Sequence, residues 1–119
     1  MKRENTMLTE RMFIHTKIFD KLWESIGCDD DDLLELQKAI CENPQRYPVI
    51  RGTGGVRKIR IALDERGKSG GARVLYVDFV VRGVVGLLYA YSKGVKVSIS
   101  DQERKILKEM VDKLNERWD

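Results

Sequence analysis

Seven cations lie between Arg51 and Arg73 of this 119-residue chain: Arg51, Arg57, Lys58, Arg60, Arg66, Lys68 and Arg73. Only Asp64 and Glu65 oppose them, so the stretch carries a local charge of +5 while the whole chain carries +3. Positive charge gathered in this way attracts phosphate backbones. Further along, Tyr89, Tyr91 and Lys93 fall at alternate positions of one apolar run. Cations that hold phosphate, set beside aromatic rings on which bases stack, are the composition expected of an RNA-binding platform. The competing reading is a solvated strand face, with tyrosines closing the core and keeping their hydroxyls wet.

Other chemistries find less support. Gly52-Thr-Gly-Gly55 lacks the Gly-Lys-Ser/Thr ending of a phosphate loop, and Gly67-Lys-Ser69 lacks its glycine spacing and following helix, so both read as turns that need positive φ. His15 is the one histidine, which excludes a two-histidine mechanism; it is expected to be a packed or surface residue. Cys28 and Cys41 form no Cys-x-x-Cys pair, and each falls in or beside a helical pattern where a thiol packs as a small hydrophobe. No Asp/Glu/His cluster suggests a metal site, so neither metal nor cofactor is expected. Between Asp20 and Asn43 eight acids face two lysines, a local charge of −6, read as the solvated face of a helix with an Asp-rich start.

The elements that must position the cationic residues follow from periodicity. Residues 56 to 63, 72 to 81 and 84 to 92 read as three strands. Arg66–Gly71 links the first pair and Arg82-Gly83 turns between the second, and links this short imply antiparallel neighbours. Alternation sends Lys58 and Arg60 to one face and Ile59, Ile61 and Leu63 to the other. If the faces coincide, Lys58, Arg60, Arg73, Tyr89, Tyr91 and Lys93 share a patch. Upstream, residues 11 to 15 have the character of a short strand. A first helix carries Ile18, Phe19, Leu22, Trp23 and Ile26 and stops at Gly27; a second carries Leu33, Leu36, Ile40 and Cys41 and stops at Asn43-Pro44. The last helix opens on the capping box Ser100-x-x-Glu103 and carries Ile106, Leu107, Met110, Val111, Leu114 and Trp118. The fold class expected is α+β, an antiparallel sheet with two N-terminal helices packed on it and a C-terminal helix. Length fits one domain over residues 1–119. No apolar run approaches the roughly 20 residues of a membrane helix, and the opening residues do not resemble a secretory signal, so a cytoplasmic protein without membrane contact is expected.

Four strings carry a resemblance: Ile50-Arg-Gly-Thr-Gly-Gly-Val-Arg-Lys-Ile-Arg60, Gly67-Lys-Ser-Gly-Gly-Ala-Arg-Val-Leu-Tyr76, Leu87-Leu-Tyr-Ala-Tyr-Ser-Lys93 and Ser100-Asp-Gln-Glu-Arg-Lys105. Together they resemble the HigB-type branch of the RelE toxin superfamily over about residues 13 to 117. The resemblance implies the toxin of a type II toxin-antitoxin pair, a ribosome-dependent endoribonuclease that cleaves messenger RNA in the A site. It also implies a partner antitoxin with a helix-turn-helix domain, HigA-like, and a toxin that is a monomer when free. Residues 1–10 read as an N-terminal extension to the RelE-like domain. By the same resemblance the catalytic set is Lys58, Arg60, Arg73, Tyr91 and Lys93; from the cationic stretch and the shared strand face, Arg57, Lys68, Tyr89 and Lys96 are expected to bind RNA beside it. The chain departs from RelE itself after Lys93, where Gly94-Val-Lys96 stands in place of a directly following arginine, and Lys96 is the expected substitute.

Cleavage by the RNA's own 2′-hydroxyl needs a base, charge stabilisation at the phosphate and an acid for the leaving oxygen. Lysine serves as a base when neighbouring cations lower its pKa, and Lys58 lies in sequence among Arg57, Arg60 and Arg73. Arginine keeps its proton, so Arg60 and Arg73 are expected to hold the phosphate. Tyr91 or Lys93 would orient the nucleotide or donate the proton. The alternatives are a noncatalytic RNA- or ribosome-binding module, and an inactivated toxin that retains only antitoxin binding.

Overall fold

The computed structural model describes residues 9–62, 71–92, 94 and 98–118, with the side chain of Trp118 outside that description. Strands β1 (Met12–His15), β2 (Val56–Ile61), β3 (Ala72–Phe79) and β4 (Val84–Ser92) form one sheet in the order β1-β4-β3-β2. The expected antiparallel meander is present in β2, β3 and β4. β1 joins its far side in parallel with β4, Met12 opposite Val84 and His15 opposite Leu87. A parallel neighbour needs a long crossover, and α1 (Lys17–Ser25) with α2 (Asp30–Glu42) lies within it.

Local chemistry sets the ends of these helices. Thr16 caps α1 by accepting from the Phe19 amide, and Gly27 follows the last turn with φ 85°. Asp29 and Asp32 form a reciprocal capping box at the start of α2, which gives the Asp-rich segment a structural task beyond a solvated face. The second such box, Ser100 with Glu103, opens α3 (Asp101–Asn115), after which Glu116–Trp118 makes one 3₁₀ turn.

Two apolar layers sandwich the sheet. On one face Phe19, Trp23, Leu36 and Ile40 of the N-terminal helices pack against Ile59, Val74, Tyr76, Val85, Leu87 and Ala90. On the other, Leu107 and Val111 of α3 pack against Val56, Leu75, Val77, Leu88 and Tyr91. Of the expected α3 stripe, Met110 and Leu114 also join this layer, while Ile106 is 49% exposed. A β-bulge lets β4 serve both layers: Leu75 pairs with Tyr89 and Tyr76 with Leu87, leaving Leu88 as the extra residue. The freed Leu88 carbonyl accepts from the Thr16 hydroxyl at 2.9 Å, which ties the start of α1 to the sheet.

Candidate phosphate-binding face

Register decides whether the cationic residues meet. Arg60 of β2 lies directly opposite Arg73 of β3, and Arg73 directly opposite Tyr91 of β4. The next row of the same face is Lys58, Leu75 and Tyr89. Directly opposite residues have Cβ atoms about 4.5–5.5 Å apart, so five of the expected residues share one surface. The Tyr89 and Tyr91 rings are 6.3 Å apart between centroids and tilted by 52°. Lys68, Lys93 and Lys96 lie outside the described residues.

This surface is the one α3 partly covers. Tyr91 is 7% exposed and belongs to the apolar layer beneath the helix, Tyr89 is half-buried, and Arg60 remains exposed. Tyr91 is therefore placed more as a wall of the face than as an open stacking platform, and Tyr89 is the more accessible ring.

Two opposed arginines without an acid between them are an unfavourable pairing, because like charges directly across a sheet repel. Among the described residues no carboxylate is paired with Lys58, Arg60 or Arg73. Nη1 of Arg73 is buried and has no hydrogen-bond partner among them. A buried donor left in this state costs about 1–3 kcal/mol, and an anion in the face would supply its partner.

Arg57 stands apart from this group. Strand alternation turns it to the opposite face, where its Nη1 donates to the backbone oxygens of Gln45 at 2.9 Å and Tyr47 at 2.6 Å. It pins the segment after α2 and does not join the cationic face. His15 is also remote: it sits at the end of β1 on the α1 side, within 2.9 Å of Asp20 and edge-on to Phe19. Cys28 is buried and Cys41 half-buried, neither in a disulfide, and burial pushes the Cys41 thiol up. Among the described residues no group of His, Cys, Asp or Glu could hold a metal ion.

The structure brings in two residues that the spacing argument left out of the site. Residues 48–50 turn back along β2, with the Ile50 amide donating to the Val56 oxygen and the Lys58 amide donating to the Pro48 oxygen. Thr53, fully buried, closes the loop between them by donating to Ile50 and accepting from the Val56 amide. Gly52 and Gly54 hold φ near +80° and let this loop lie under Arg104 and Lys108 of α3. The result is a recess of about 350 Å³ beside the face, whose charged lining is Arg51, Lys58 and Arg104. Arg104 was visible only as part of the capping-box string, where helix capping absorbed its meaning.

A family model described as "RelE toxin of RelE / RelB toxin-antitoxin system" matches residues 10–118. A solved structure of an E. coli toxin RelE mutant in the free state superposes with a TM-score of 0.52 at 17% sequence identity. The superposition covers 73% of this chain and 88% of that one, and it shows a shared fold.

Proposed function

Since the chain belongs to the RelE toxin family of toxin-antitoxin systems, we propose that it is a ribosome-dependent endoribonuclease that cuts messenger RNA in the A site, without metal or cofactor. It acts as a single RelE-like domain of the HigB-type branch, preceded by residues 1–10 as an extension. Its partner is a HigA-like antitoxin with a helix-turn-helix domain, and its place of action is the cytoplasm. No helix among the described residues is long and apolar enough to cross a membrane.

The opposed pair Arg60 and Arg73, with a buried and unpartnered donor on Arg73, carries this reading. The planar donor forks of both guanidiniums suit a phosphate that gains negative charge as the 2′-oxygen attacks. Lys58 lies one row away on the same face, and its assigned role is to take the 2′-hydroxyl proton or to steady the same phosphate. Lys93 or Tyr91 is assigned the proton given to the leaving 5′-oxygen, with Tyr89 and the lysines Lys68 and Lys96 holding the nucleotide. Such a set works only when the RNA is bent into line, which is the task left to the ribosome.

On purified ribosomes translating a defined message, the chain should produce new RNA ends within A-site codons, and free RNA should stay intact. Arg73→Ala should slow cutting by about 10²- to 10³-fold, the usual effect of removing one preorganised donor. Undiminished cutting by Arg73→Ala combined with Lys58→Ala would sink the site assignment. Stalled translation without new ends would favour a noncatalytic binding module.

A further inference from the structure

We propose that Arg51, Lys58 and Arg104 form a second phosphate subsite that holds the backbone phosphate next to the scissile one. The inference rests on the ribonuclease reading and extends it to two residues outside the sheet, Arg51 in the loop before β2 and Arg104 on α3. Three observations carry it. The recess of about 350 Å³ that these residues line has no acidic residue in its wall among the described residues. Nε of Arg104 is buried there with no hydrogen-bond partner among the described residues. Among the described residues the carboxylate paired with Arg104, that of Asp101, reaches only Nη1, at 3.5 Å, and is itself fully exposed. A guanidinium that lines a cationic recess, is itself 39% exposed and has no strong carboxylate partner there keeps its outer N–H groups available for a bidentate phosphate contact.

The geometry also says which anion. Lys58 belongs to both places, lining the recess and standing one row from Arg60 and Arg73 on the same strand face. Residues two apart on a strand are separated by about 7 Å, which is on the order of the step between successive phosphates of a single strand. An isolated inorganic phosphate would occupy either place alone; a polynucleotide backbone spans both.

The test couples the residue to one phosphate at a time. Ribosomes are programmed with a message in which the linkage on either side of the scissile one is replaced by a neutral methylphosphonate, and cutting is measured for the full chain and for Arg104→Gln. For the unsubstituted chain, a neutral linkage at one of the two flanks should lower kcat/KM by about tenfold, the scale of a single charge-assisted hydrogen bond. Arg104→Gln should lower it by a similar factor on the ordinary message and by little more on that neutral one, so the two effects overlap instead of multiplying. Arg51→Gln, in the same recess, serves if Arg104→Gln fails to fold. Effects that multiply at both flanks, or Arg104→Gln cutting as fast as the unsubstituted chain, overturn the subsite and leave the ribonuclease reading standing. An ordinary message left uncut by the unsubstituted chain overturns both.

Discussion

At the scale of single residues, two buried polar contacts hold the frame behind the cationic face. Arg11 clasps Asp78 with Nε at 2.6 Å from Oδ1 and Nη2 at 3.0 Å from Oδ2, and the Asp78 side chain is 2% exposed. Removing one partner of such a pair strands the other charge out of water, so Arg11→Met should destabilise the fold by about 3–5 kcal/mol in urea unfolding. Arg11→Met with Asp78→Leu should recover most of that stability, since no stranded charge remains. Tyr76 is fully buried and its hydroxyl donates to the Pro44 oxygen at 2.7 Å. Burial pushes its ionisation well above the ordinary phenol range, against a smaller pull downward from Arg57. Above about pH 10 an unfolded chain releases the Tyr76 proton while the folded chain keeps it. The folded state then binds more protons, and stability falls as pH rises. Tyr76→Phe should flatten this alkaline decline, read from unfolding midpoints on either side of about pH 10, though removing the hydroxyl lowers stability at neutral pH.

At the scale of elements, α3 forms one wall of the face, and what fixes its height above the sheet is a missing side chain. A Cβ on Gly86 would sit 3.1 Å from Leu114 Cδ1 and 3.3 Å from Val77 Cγ1. Gly86→Ala should therefore push the C-terminal half of α3 outward and cost about 1–3 kcal/mol, the range for overpacking a well-filled layer. The displacement is readable as faster amide hydrogen exchange in residues 107–114, and unchanged exchange there would refute this account of the helix seat. The bulge at Leu88 plays a comparable part within β4. It rephases the strand so that Tyr89 and Tyr91 return to the side of Arg73, while Leu87 and Ala90 stay in the opposite layer.

At the scale of the whole molecule, charge is divided by the sheet. The acid-rich α2 packs on one side, and the cationic face with its recess lies on the other. Cations that neutralise phosphates release counterions, so the affinity of the chain for ribosomes should fall with salt. Lys58→Ala with Arg60→Ala should make the log–log salt dependence shallower by about 1.4, at about 0.7 for each single-strand phosphate no longer neutralised. Asp30→Asn, across the sheet on α2, should leave that slope unchanged, because charges farther apart than the Debye length are largely screened at physiological salt. An equal change of slope from both variants would mean that net charge, not the face, governs binding.

Local rules were enough to read most of the elements directly from the amino acids. The capping box of Ser100 and Glu103, the Asp-rich start of α2 and the stop at Gly27 need only neighbours a few residues away, whereas the turn before β4 takes in Val80 and Val81 as well as the expected Arg82-Gly83, so that β3 ends at Phe79. Alternation alone placed Lys58 and Arg60 together and Ile59 with the core. Register between strands is a different kind of fact, since one residue of slip exchanges the faces of a whole strand. Only the folded sheet set Arg60 against Arg73 and Tyr91, inserted the Leu88 bulge and aligned β1 in parallel. Only packing brought Arg104 of α3 over the loop that carries Arg51, some fifty residues distant in the chain. Helix caps and strand faces are set by interactions that the chain makes with itself over a few residues, whereas the site is made of interactions that exist once distant segments have closed on one another.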